Sequence, residues 1–374
     1  MKNYLLWGAV SFNKAIKGDS KAKFIARNAN SGNLIIGHAV QNHLGNLHDE
    51  IEFREDFNPQ MVNEKYDALI IPAANYIREM FSVQAQIKLL EKIKIPVICI
   101  GLGTQAASLS DKVKITPDLL RFLQILSTKS TTIGVRGFYT AELLNSLGIK
   151  NVDVIGCPSN FLNCDIDFKI DKKKLPEKFR SAYYLNDHHD SIHLFDLALK
   201  EGSDLMAQHH NATLCLKDDE ITNFANSSYF ELIYSKSKFK TKKVIDFINY
   251  RIQVFYEINA WQNALSNIDF AFGMRFHGNM MALQQRIPAL WVTHDSRTIE
   301  LAEFLKLPSI NISEVKMFKN LKQLYKKADY SKYNQIYPQL FTNYVDFLAK
   351  NGIDHVLKKC GKIDSLKKKL TIIV

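Results

Sequence analysis

One stretch of the chain, residues 269–283, reads DFAFGMRFHGNMMAL. Its first five residues form a short apolar run that ends in glycine, which is typical of a buried parallel strand. From Phe276 the apolar residues recur at helical spacing, and Pro288 ends the segment. The stretch therefore predicts a strand followed by a helix, with Arg275 in the turn and His277 in the first helical turn. Unpaired backbone N–H groups and the positive end of the helix dipole meet there, so the turn is suited to bind an anion.

A second turn of the same kind follows the apolar run at residues 131–135. Arg136 comes directly after this run, and a helical pattern begins two residues later. Ligands of open α/β sheets bind at the carboxyl ends of the strands, so Arg136 and Arg275 are both expected to project into one cleft. The planar arginine fork suits carboxylate and phosphate groups. The structural alternative is that Arg136 starts the helix and pairs with Glu142.

Strand and helix patterns alternate along the chain, which predicts an α/β fold with parallel, doubly wound sheets. We predict two Rossmann-like domains that face a cleft, the arrangement called GT-B, at residues 1–168 and 179–313. The lysine-rich stretch 169–178 lacks periodicity and contains Pro176, so we interpret it as the linker. A helical, lysine-rich C-terminal tail is expected at residues 314–374.

Apolar periodicity also predicts the bounds of the individual elements. Strands are predicted at residues 4–10, 67–72, 96–101, 131–135, 152–156, 182–185, 204–208, 269–273 and 289–293. Helices are predicted at residues 33–44, 83–93, 119–126, 138–147, 192–200, 260–265, 276–287 and 299–305.

Composition limits the classes of protein to which the chain can belong. Its 374 residues are enough for two domains with their own cores, and no apolar run reaches the length of a membrane span. Residues 1–10 have a short apolar core without a cleavage site, and are expected to form the first strand rather than a signal peptide. The net charge of +11 comes mostly from lysine. No nucleic-acid-binding module accompanies this charge, so we expect no nucleic-acid partner.

Cysteine and histidine spacing gives no metal signature. The five cysteines are odd in number and lack Cys-x-x-Cys spacing, which argues against a disulfide framework or a zinc site and favours a reducing cytoplasm. The histidine pairs at residues 188–189 and 209–210 lack the spacing of a site on one helix face, so we interpret them as surface or loop residues. The predicted site contains no metal.

Small and amide residues stand before the first predicted helix, at Asn30, Ser31, Gly32 and Asn33. Such residues form either an anion-binding or sugar-binding turn or a simple helix cap. The sequence leaves both alternatives open.

Polar residues also follow the last predicted strand, in the sequence THDSRT at residues 293–298. Their position predicts that His294 and Arg297 contact sugar hydroxyls or phosphate, with Asp295 as a candidate base. A hydrolase triad is not favoured, because the residues are sequential and no Gly-x-Ser-x-Gly elbow is present.

Several of these segments together resemble the polysaccharide pyruvyl transferase family. The family has an Arg-x-His turn after a buried strand, a small-residue helix and a Pro-Ala pair, which correspond here to residues 273–289. An Arg-Gly-x-x-Thr pattern also recurs in the family, and it matches Arg136, Gly137 and Thr140.

Three further segments are similar to parts of the family pattern. The segment GLGTQ at residues 101–105 lacks the glycine spacing of a dinucleotide site. It resembles a family segment that lines the cleft, which implies a substrate-binding role for Gly103 and Thr104. The Asn/Gly loop before the first helix is also similar, although Asn33 stands where the family usually has an acidic residue. Cys157 lies in a Gly-Cys-Pro turn that resembles the end of the family's first domain, and we interpret it as a buried structural thiol.

The resemblance implies a reaction. The family joins pyruvate from phosphoenolpyruvate to two hydroxyls of a sugar, forming a cyclic ketal. His277 is then the expected general acid, with a pKa lowered by the helix N-terminus and Arg275, while Arg136 and Arg275 bind the donor. Phosphoenolpyruvate is a donor substrate, and no cofactor is expected. The family also implies an acceptor linked to polyprenyl diphosphate, and we expect a cytoplasmic reaction at the inner face of the membrane.

Two other functions remain open from the residues alone. A GT-B glycosyltransferase could hold the diphosphate of a nucleotide sugar in the same cleft, although we find no acidic residue placed to bind a ribose. A non-catalytic protein that binds lipid or polysaccharide is the second alternative. The region from Lys350 contains seven lysines and ends in an apolar segment. It is interpreted either as a contact with an anionic membrane or as a solvated tail.

Overall fold

The structure, a computed structural model, describes residues 2–8, 30–45, 48–51, 53, 56–79, 81–186, 188–208 and 234–357. These residues form two six-stranded sheets in which each neighbouring pair of strands is parallel. Helices follow most strands, as expected for a parallel sheet, whose strands need crossover connections. The protein therefore has two Rossmann-like domains, in agreement with the predicted GT-B-like architecture.

The first sheet has the strand order β2-β1-β3-β4-β5-β6. Its strands are β1 (Tyr4–Trp7), β2 (His48–Ile51), β3 (Ala68–Pro72), β4 (Val97–Leu102), β5 (Ile133–Val135) and β6 (Val152–Val154). Its helices are α1 (Ser31–Leu44), α2 (Pro59–Lys65), α3 (Gln84–Leu90), α4 (Pro117–Lys129) and α5 (Phe138–Ser146).

The second sheet has the order β12-β11-β10-β7-β8-β9. Its strands are β7 (Ser181–Tyr184), β8 (Asp204–Ala207), β9 (Ile252–Val254), β10 (Phe270–Gly273), β11 (Ala289–Thr293) and β12 (Ser309–Asn311). The accompanying helices are α6 (Ile192–Glu201), α7 (Thr241–Arg251), α8 (Ile258–Leu265), α9 (Phe276–Gln284) and α10 (Ser296–Leu305). Strands β7 and β10 are neighbours although the chain runs outward from them in opposite directions. A sheet of this kind binds ligands at such a switch point.

The two faces of the first sheet pack into different cores. Alternate residues of a strand point to opposite faces. In β1, Leu5 and Trp7 belong to a core formed with helices α2, α3 and α4, which lie on the outer face of the sheet. Tyr4 and Leu6 belong to a second core, which continues through α1 into the second domain. The domains are thus joined by a shared apolar core.

Two C-terminal helices, α11 (Leu321–Lys327) and α12 (Ser331–Lys350), complete the described chain. The beginning of α12 lies on the second domain, where the Tyr330 hydroxyl donates to Ala289 O at 2.6 Å. Its end lies on the first domain, where Tyr344 contacts His43 and Lys350 pairs with Asp153. The predicted helical region therefore packs on both domains rather than projecting from one of them.

Three strands, β2, β9 and β12, have no counterpart among the predicted strands. All three lie at an edge of their sheet. Edge strands are short and carry polar residues, such as the HDEI of β2, so apolar periodicity does not mark them. The predicted linker 169–178 contains no helix or strand. It is nevertheless held, since Lys172 Nζ lies 4.6 Å from the centre of the Tyr325 ring.

Within the described ranges, no helix has both the length and the apolarity needed to cross a membrane.

Candidate active site

Arg275 lies at the switch point of the second sheet. It follows β10 and precedes the first residue of α9, and its Nε donates to Leu185 O, just beyond β7, at 3.0 Å. The side chain is therefore held between the two strands at which the direction of the sheet reverses. This is the position that the strand–turn–helix pattern predicted.

His277 occupies the first turn of α9 and lies against the first domain. Its Nε2 is 3.4 Å from the Sγ of Cys157, a buried residue that follows β6. On its other side is Gly32, where an added Cβ would lie 3.3 Å from His277 Nδ1. Gly32 belongs to the first turn of α1, so the N-terminal ends of α1 and α9 meet at this imidazole.

The pKa of His277 is lowered well below its usual value by burial, and then by the positive charges of Arg136 and Arg297. The direction agrees with the sequence-based expectation, but the neighbouring arginines responsible are not Arg275. The imidazole is consequently neutral at neutral pH while the site holds no anion.

Arg136 is 2% exposed and is fixed by three oxygens of the first domain. Its Nε donates to Gly101 O at 2.9 Å, its Nη1 to Asn75 Oδ1 at 2.6 Å and its Nη2 to Ala73 O at 3.3 Å. The pairing with Glu142 considered above is therefore not what holds this side chain. Burial lowers its pKa, which remains far above neutrality for a guanidinium.

Gly103 has a steric role beside Arg136. A Cβ at this position would lie 2.6 Å from Arg136 Cδ and 2.8 Å from Asn75 Oδ1. Asn75 was not predicted as a site residue. It lies three residues beyond the carboxyl end of β3, so the rule that placed Arg136 at a strand end could have found it.

Asp295 is the N-cap of α10. Its Oδ1 accepts from Thr298 N at 3.0 Å, and its Oδ2 accepts from Arg297 Nε at 2.6 Å. Burial alone would raise its pKa, but Arg297, His294 and Thr298 outweigh that effect and lower it. A carboxylate with both oxygens engaged and a lowered pKa is a weak base. The structure instead shows Asp295 orienting Arg297, which differs from the role predicted from sequence.

His294 is also held close to Asp295. Its Nε2 lies 3.7 Å from Asp295 Oδ2, and its ring packs edge-on against His188 with centroids 5.6 Å apart. Burial lowers its pKa to about 4, with Arg297, His188 and Arg275 acting in the same direction. Arg275, Arg297 and His294 are thus close enough to influence one another.

The loop before α1 acts as a helix cap and as a contact between domains. Asn30 Oδ1 accepts from Gly32 N at 3.1 Å, which realises the capping alternative. Ser31 Oγ accepts from Nε2 of Gln208, a second-domain residue, at 2.9 Å. Asn33 is exposed on the first turn of α1. The structure therefore places Gly32 beside His277, while Asn33 lies at the surface.

Glu300, in α10, is a buried acidic residue that the sequence reading missed. Its Oε1 accepts from Thr140 N at 2.7 Å and its Oε2 from Thr140 Oγ1 at 3.0 Å. Thr140 Oγ1 also accepts from the backbone N of Thr104 at 3.1 Å. Sequence offered no signal for this contact, because 160 positions separate Glu300 from Thr140.

One group of potential metal ligands is found among the described residues. Donor atoms of His188, His189 and Asp190 lie within 4.8 Å of one another. His188 and Asp190 are partly exposed and His189 is exposed. The second histidine pair, at 209–210, falls outside the described ranges.

The family assignment comes from a comparison with models of protein families. The model described as polysaccharide pyruvyl transferase matches residues 30–296. The chain belongs to this family. The match contains Arg136, Arg275 and His277, whereas Arg297 and Glu300 lie just beyond it. Among curated protein sequences, none matches this chain at a significant level.

Comparison with solved structures shows similar folds at low sequence identity. Staphylococcus aureus MnaA, solved with UDP, is 13% identical, with 94% of each chain covered and a TM-score of 0.44. The UDP-GlcNAc 2-epimerase of Methanocaldococcus jannaschii is 12% identical, with 91% of this chain and 99% of that chain covered and a TM-score of 0.42. The wall teichoic acid polymerase TagF is 11% identical, with 94% of this chain and 85% of that chain covered and a TM-score of 0.35.

Proposed function

We propose that this protein transfers pyruvate from phosphoenolpyruvate to two hydroxyls of a saccharide, forming a cyclic ketal and releasing phosphate. One observation carries the proposal. The buried imidazole of His277 is close enough to an arginine of the first domain, Arg136, and to one of the second, Arg297, for both charges to lower its pKa. Cations contributed by both domains suit a small ligand with two anionic ends.

The arrangement of donors supports a ligand with a carboxylate and a phosphate. Arg136 uses three N–H groups on protein oxygens and keeps further N–H donors for a ligand. Arg275 and Arg297 are partly exposed, each anchored through its Nε. Anchoring at Nε directs the terminal nitrogens of a guanidinium away from the anchor, which favours bidentate binding of an oxyanion.

The proposed reaction requires one acid and a stabilised cation. His277, protonated when the anionic donor binds, gives its proton to the methylene carbon of phosphoenolpyruvate. The adjacent carbon then becomes oxocarbenium-like and is attacked by the first sugar hydroxyl, which loses its proton. The proton of the first hydroxyl returns to His277. The second hydroxyl then displaces phosphate from the same carbon, closes the ring and gives its proton to the leaving phosphate. The arginines stabilise the carboxylate and the leaving phosphate throughout.

The acceptor and the place of reaction are part of this proposal. We propose a saccharide linked to polyprenyl diphosphate, modified in the cytoplasm at the inner face of the membrane. The support is the family assignment together with a site to which both domains contribute residues.

Phosphate release tests the proposal. The purified protein would be incubated with phosphoenolpyruvate and a panel of synthetic and lipid-linked glycosides in D₂O. Proton NMR would then follow the appearance of a deuterated ketal methyl group. We expect phosphate release that depends on the acceptor and is lost in His277→Ala, whereas donor binding in that variant weakens less. Arg121→Lys, at an exposed arginine of helix α4 that pairs with Glu91, serves as the matched control.

A glycosyltransferase is the outcome that would overturn the proposal. A ligand that binds only the native state raises the melting temperature with its concentration. Stabilisation by a uridine or guanosine diphosphate sugar, with none by phosphoenolpyruvate, would assign the cleft to a nucleotide sugar.

A further inference from the structure

A carboxylate of the second domain completes the N-terminus of a helix of the first. Helix α5 begins after Gly137 without a side-chain cap of its own and has no acidic residue in its first turn. Glu300 supplies what is missing, because its two oxygens accept from Thr140 N and Thr140 Oγ1. A carboxylate in this place satisfies an unpaired N–H group and complements the helix dipole.

The contact reaches the residue next to Arg136. A Cβ on Gly137 would overlap Glu300 Cγ, so only glycine lets the carboxylate come this close. Thr140 is tied in turn to the cleft-lining segment through Thr104 N. Gly137 and Thr140 are two of the positions that matched the Arg-Gly-x-x-Thr pattern, and the structure gives both a physical reason.

In the second domain, Glu300 follows Arg297 by three residues, and both lie in the first half of helix α10. A second contact fastens the same end of α10 to the first domain. Ala106 N donates to Ser296 Oγ at 2.8 Å, and Ser296 N donates to Ala106 O at 3.2 Å. Together these bonds connect the element that carries Arg136 to the element that carries Arg297.

We propose that Glu300 is a positioning residue that sets the distance between Arg136 and Arg297 across the cleft by capping helix α5. The inference rests on one part of the proposed function, namely that Arg136 and Arg297 bind the same anion. Without this cap, the domains separate more easily and the two arginines no longer meet the same ligand.

The charge state of Glu300 makes the contact sensitive to pH. Burial raises its pKa to about 7, against the lowering effects of Thr140 and Arg136, and Glu142 adds to the rise. The charge of Glu300 also acts on Tyr139, in the first turn of α5, and on Arg136. Opening the cleft exposes the carboxyl group and returns its pKa to the usual range. Because the closed form holds the proton more tightly, closure weakens as pH rises from about 4.5 to about 7.

Amide hydrogen exchange measures the contact without any assumption about the reaction. In Glu300→Ala, exchange in segments 102–106 and 137–141 should rise about tenfold, the effect of losing hydrogen bonds to a charged group. Helix α4, on the outer face of the first sheet, should be unchanged. Glu303→Ala, an exposed residue of the same helix, is the matched control and should exchange like the wild type.

Glu300→Gln separates capping from charge. Its amide oxygen still accepts from Thr140 N, so the protection factors should remain close to those of the wild type, but their change between pH 5 and 8 should disappear. Thr140→Val provides an independent variant that removes the bond to Glu300 Oε2. It also removes the bond that Thr140 Oγ1 accepts from Thr104 N, so its effect is read in segment 137–141. Wild-type protection of segment 137–141 in both Glu300→Ala and Thr140→Val would overturn the proposal, as would protection factors in Glu300→Gln that change with pH as those of the wild type do.

Donor binding links the contact to the site. Isothermal titration with phosphoenolpyruvate should give a dissociation constant about tenfold higher in Glu300→Ala, with recovery in Glu300→Gln. Failure of the wild type to bind phosphoenolpyruvate would count against the proposed function, while the exchange data would still decide the role of Glu300. Altered exchange with unaltered binding would contradict the positioning role.

Discussion

Arg136 and Arg275 both follow buried strands, but the protein holds them differently. Arg136 is almost fully buried and donates to three oxygens, whereas Arg275 is partly exposed. Removing the guanidinium of Arg136 therefore leaves buried acceptors unsatisfied. An unsatisfied buried group costs about 1–3 kcal/mol, so Arg136 contributes to stability as well as to the site.

Arg136→Lys should thus lose stability as well as donor binding. We expect its free energy of unfolding to fall by about 1–3 kcal/mol, because a lysine ammonium cannot reach all three oxygens in one plane. The free energy of unfolding of Arg275→Lys should fall by less, because Arg275 is partly exposed. Urea denaturation of both variants, with Arg121→Lys as the control for an exposed arginine, measures the difference. If both variants lost the same free energy of unfolding, the three buried hydrogen bonds of Arg136 would not contribute the additional stability expected here.

His277 should take up a proton when an anion binds. Burial and the charges of Arg136 and Arg297 hold its pKa well below the usual value. A bound phosphoenolpyruvate offsets those charges and raises the pKa, so binding tightens as pH falls towards the pKa of the bound form. Calorimetric titrations in buffers of different ionisation enthalpy would report the proton uptake, and His277→Gln should abolish it. Binding without proton uptake in the wild type would be inconsistent with an acid that is charged by its substrate.

The sequence could indicate some of these residues and not others. Arg136, Arg275 and His277 were located because the carboxyl end of a strand can be recognised from a local pattern. The contact of Glu300 with α5 and that of Cys157 with His277 could not be predicted. Both contacts cross from one domain to the other over more than a hundred positions. Asp295 was interpreted as a base, since the sequence shows its strand-end position but not that both oxygens are already engaged.

At the scale of elements, the central strands and the edge strand β6 were predictable, whereas the other three edge strands, β2, β9 and β12, were not. Strands such as β3 and β4 are buried along their whole length and consist of continuous apolar runs. The edge strands β2, β9 and β12 face solvent on one side and therefore carry mixed residues. Their pairing is decided by the neighbouring strand rather than by their own sequence, which is why local periodicity failed there.

Helix α12 is the element that ties the second domain back to the first. His43 of α1 lies at this junction, with Nε2 2.9 Å from Phe161 O and Nδ1 2.9 Å from the Tyr344 hydroxyl. A carbonyl oxygen can only accept, so Nε2 carries the proton and Nδ1 accepts from Tyr344. Protonating Nδ1 would reverse the second bond, so that the Tyr344 hydroxyl accepts, and would place a positive charge in the core. Burial accordingly lowers the pKa of His43 to about 4.

The junction should make stability depend on pH. Between pH 6.5 and 4, His43 is protonated in the unfolded chain but not in the folded protein. The free energy of unfolding therefore falls as pH falls through this range. The full effect is about 3 kcal/mol. The free energy of unfolding should not vary with pH above pH 7 through this group. In His43→Gln, whose amide can keep both bonds, the loss of stability between pH 6.5 and 4 should be smaller by about 3 kcal/mol. Denaturation curves at several pH values test this. Tyr344→Phe, which retains the imidazole, should keep the pH dependence.

At the scale of the whole molecule, the two domains share a core and meet through polar contacts around the cleft. The shared core holds the domains together, while the contacts of Ser31, Ser296 and Glu300 decide how closely the cleft faces approach. Apolar packing is not directional, whereas these hydrogen bonds require one geometry. We therefore expect closure of the cleft to depend on the geometry of these polar side chains.

The C-terminal region supplies the last prediction, concerning the membrane. Lys350 pairs with Asp153 at 2.8 Å, so this lysine belongs to the folded domain. The backbone N of Val356 donates to His43 O at 2.8 Å, close to the end of the described chain. The remaining lysines of the tail lie beyond it, at residues 358–369, where each basic residue near an anionic leaflet contributes about 1 kcal/mol.

We expect the protein to float with anionic liposomes at low salt and to dissociate at high salt, because exposed charges are screened beyond a Debye length. Removing residues 358–374 should abolish flotation and leave the urea midpoint unchanged, since the contacts of Lys350 and Val356 are retained. Liposomes of neutral lipid are the control for apolar insertion. Flotation that ignores salt, or that survives the truncation, would move the membrane contact away from the lysines of the tail.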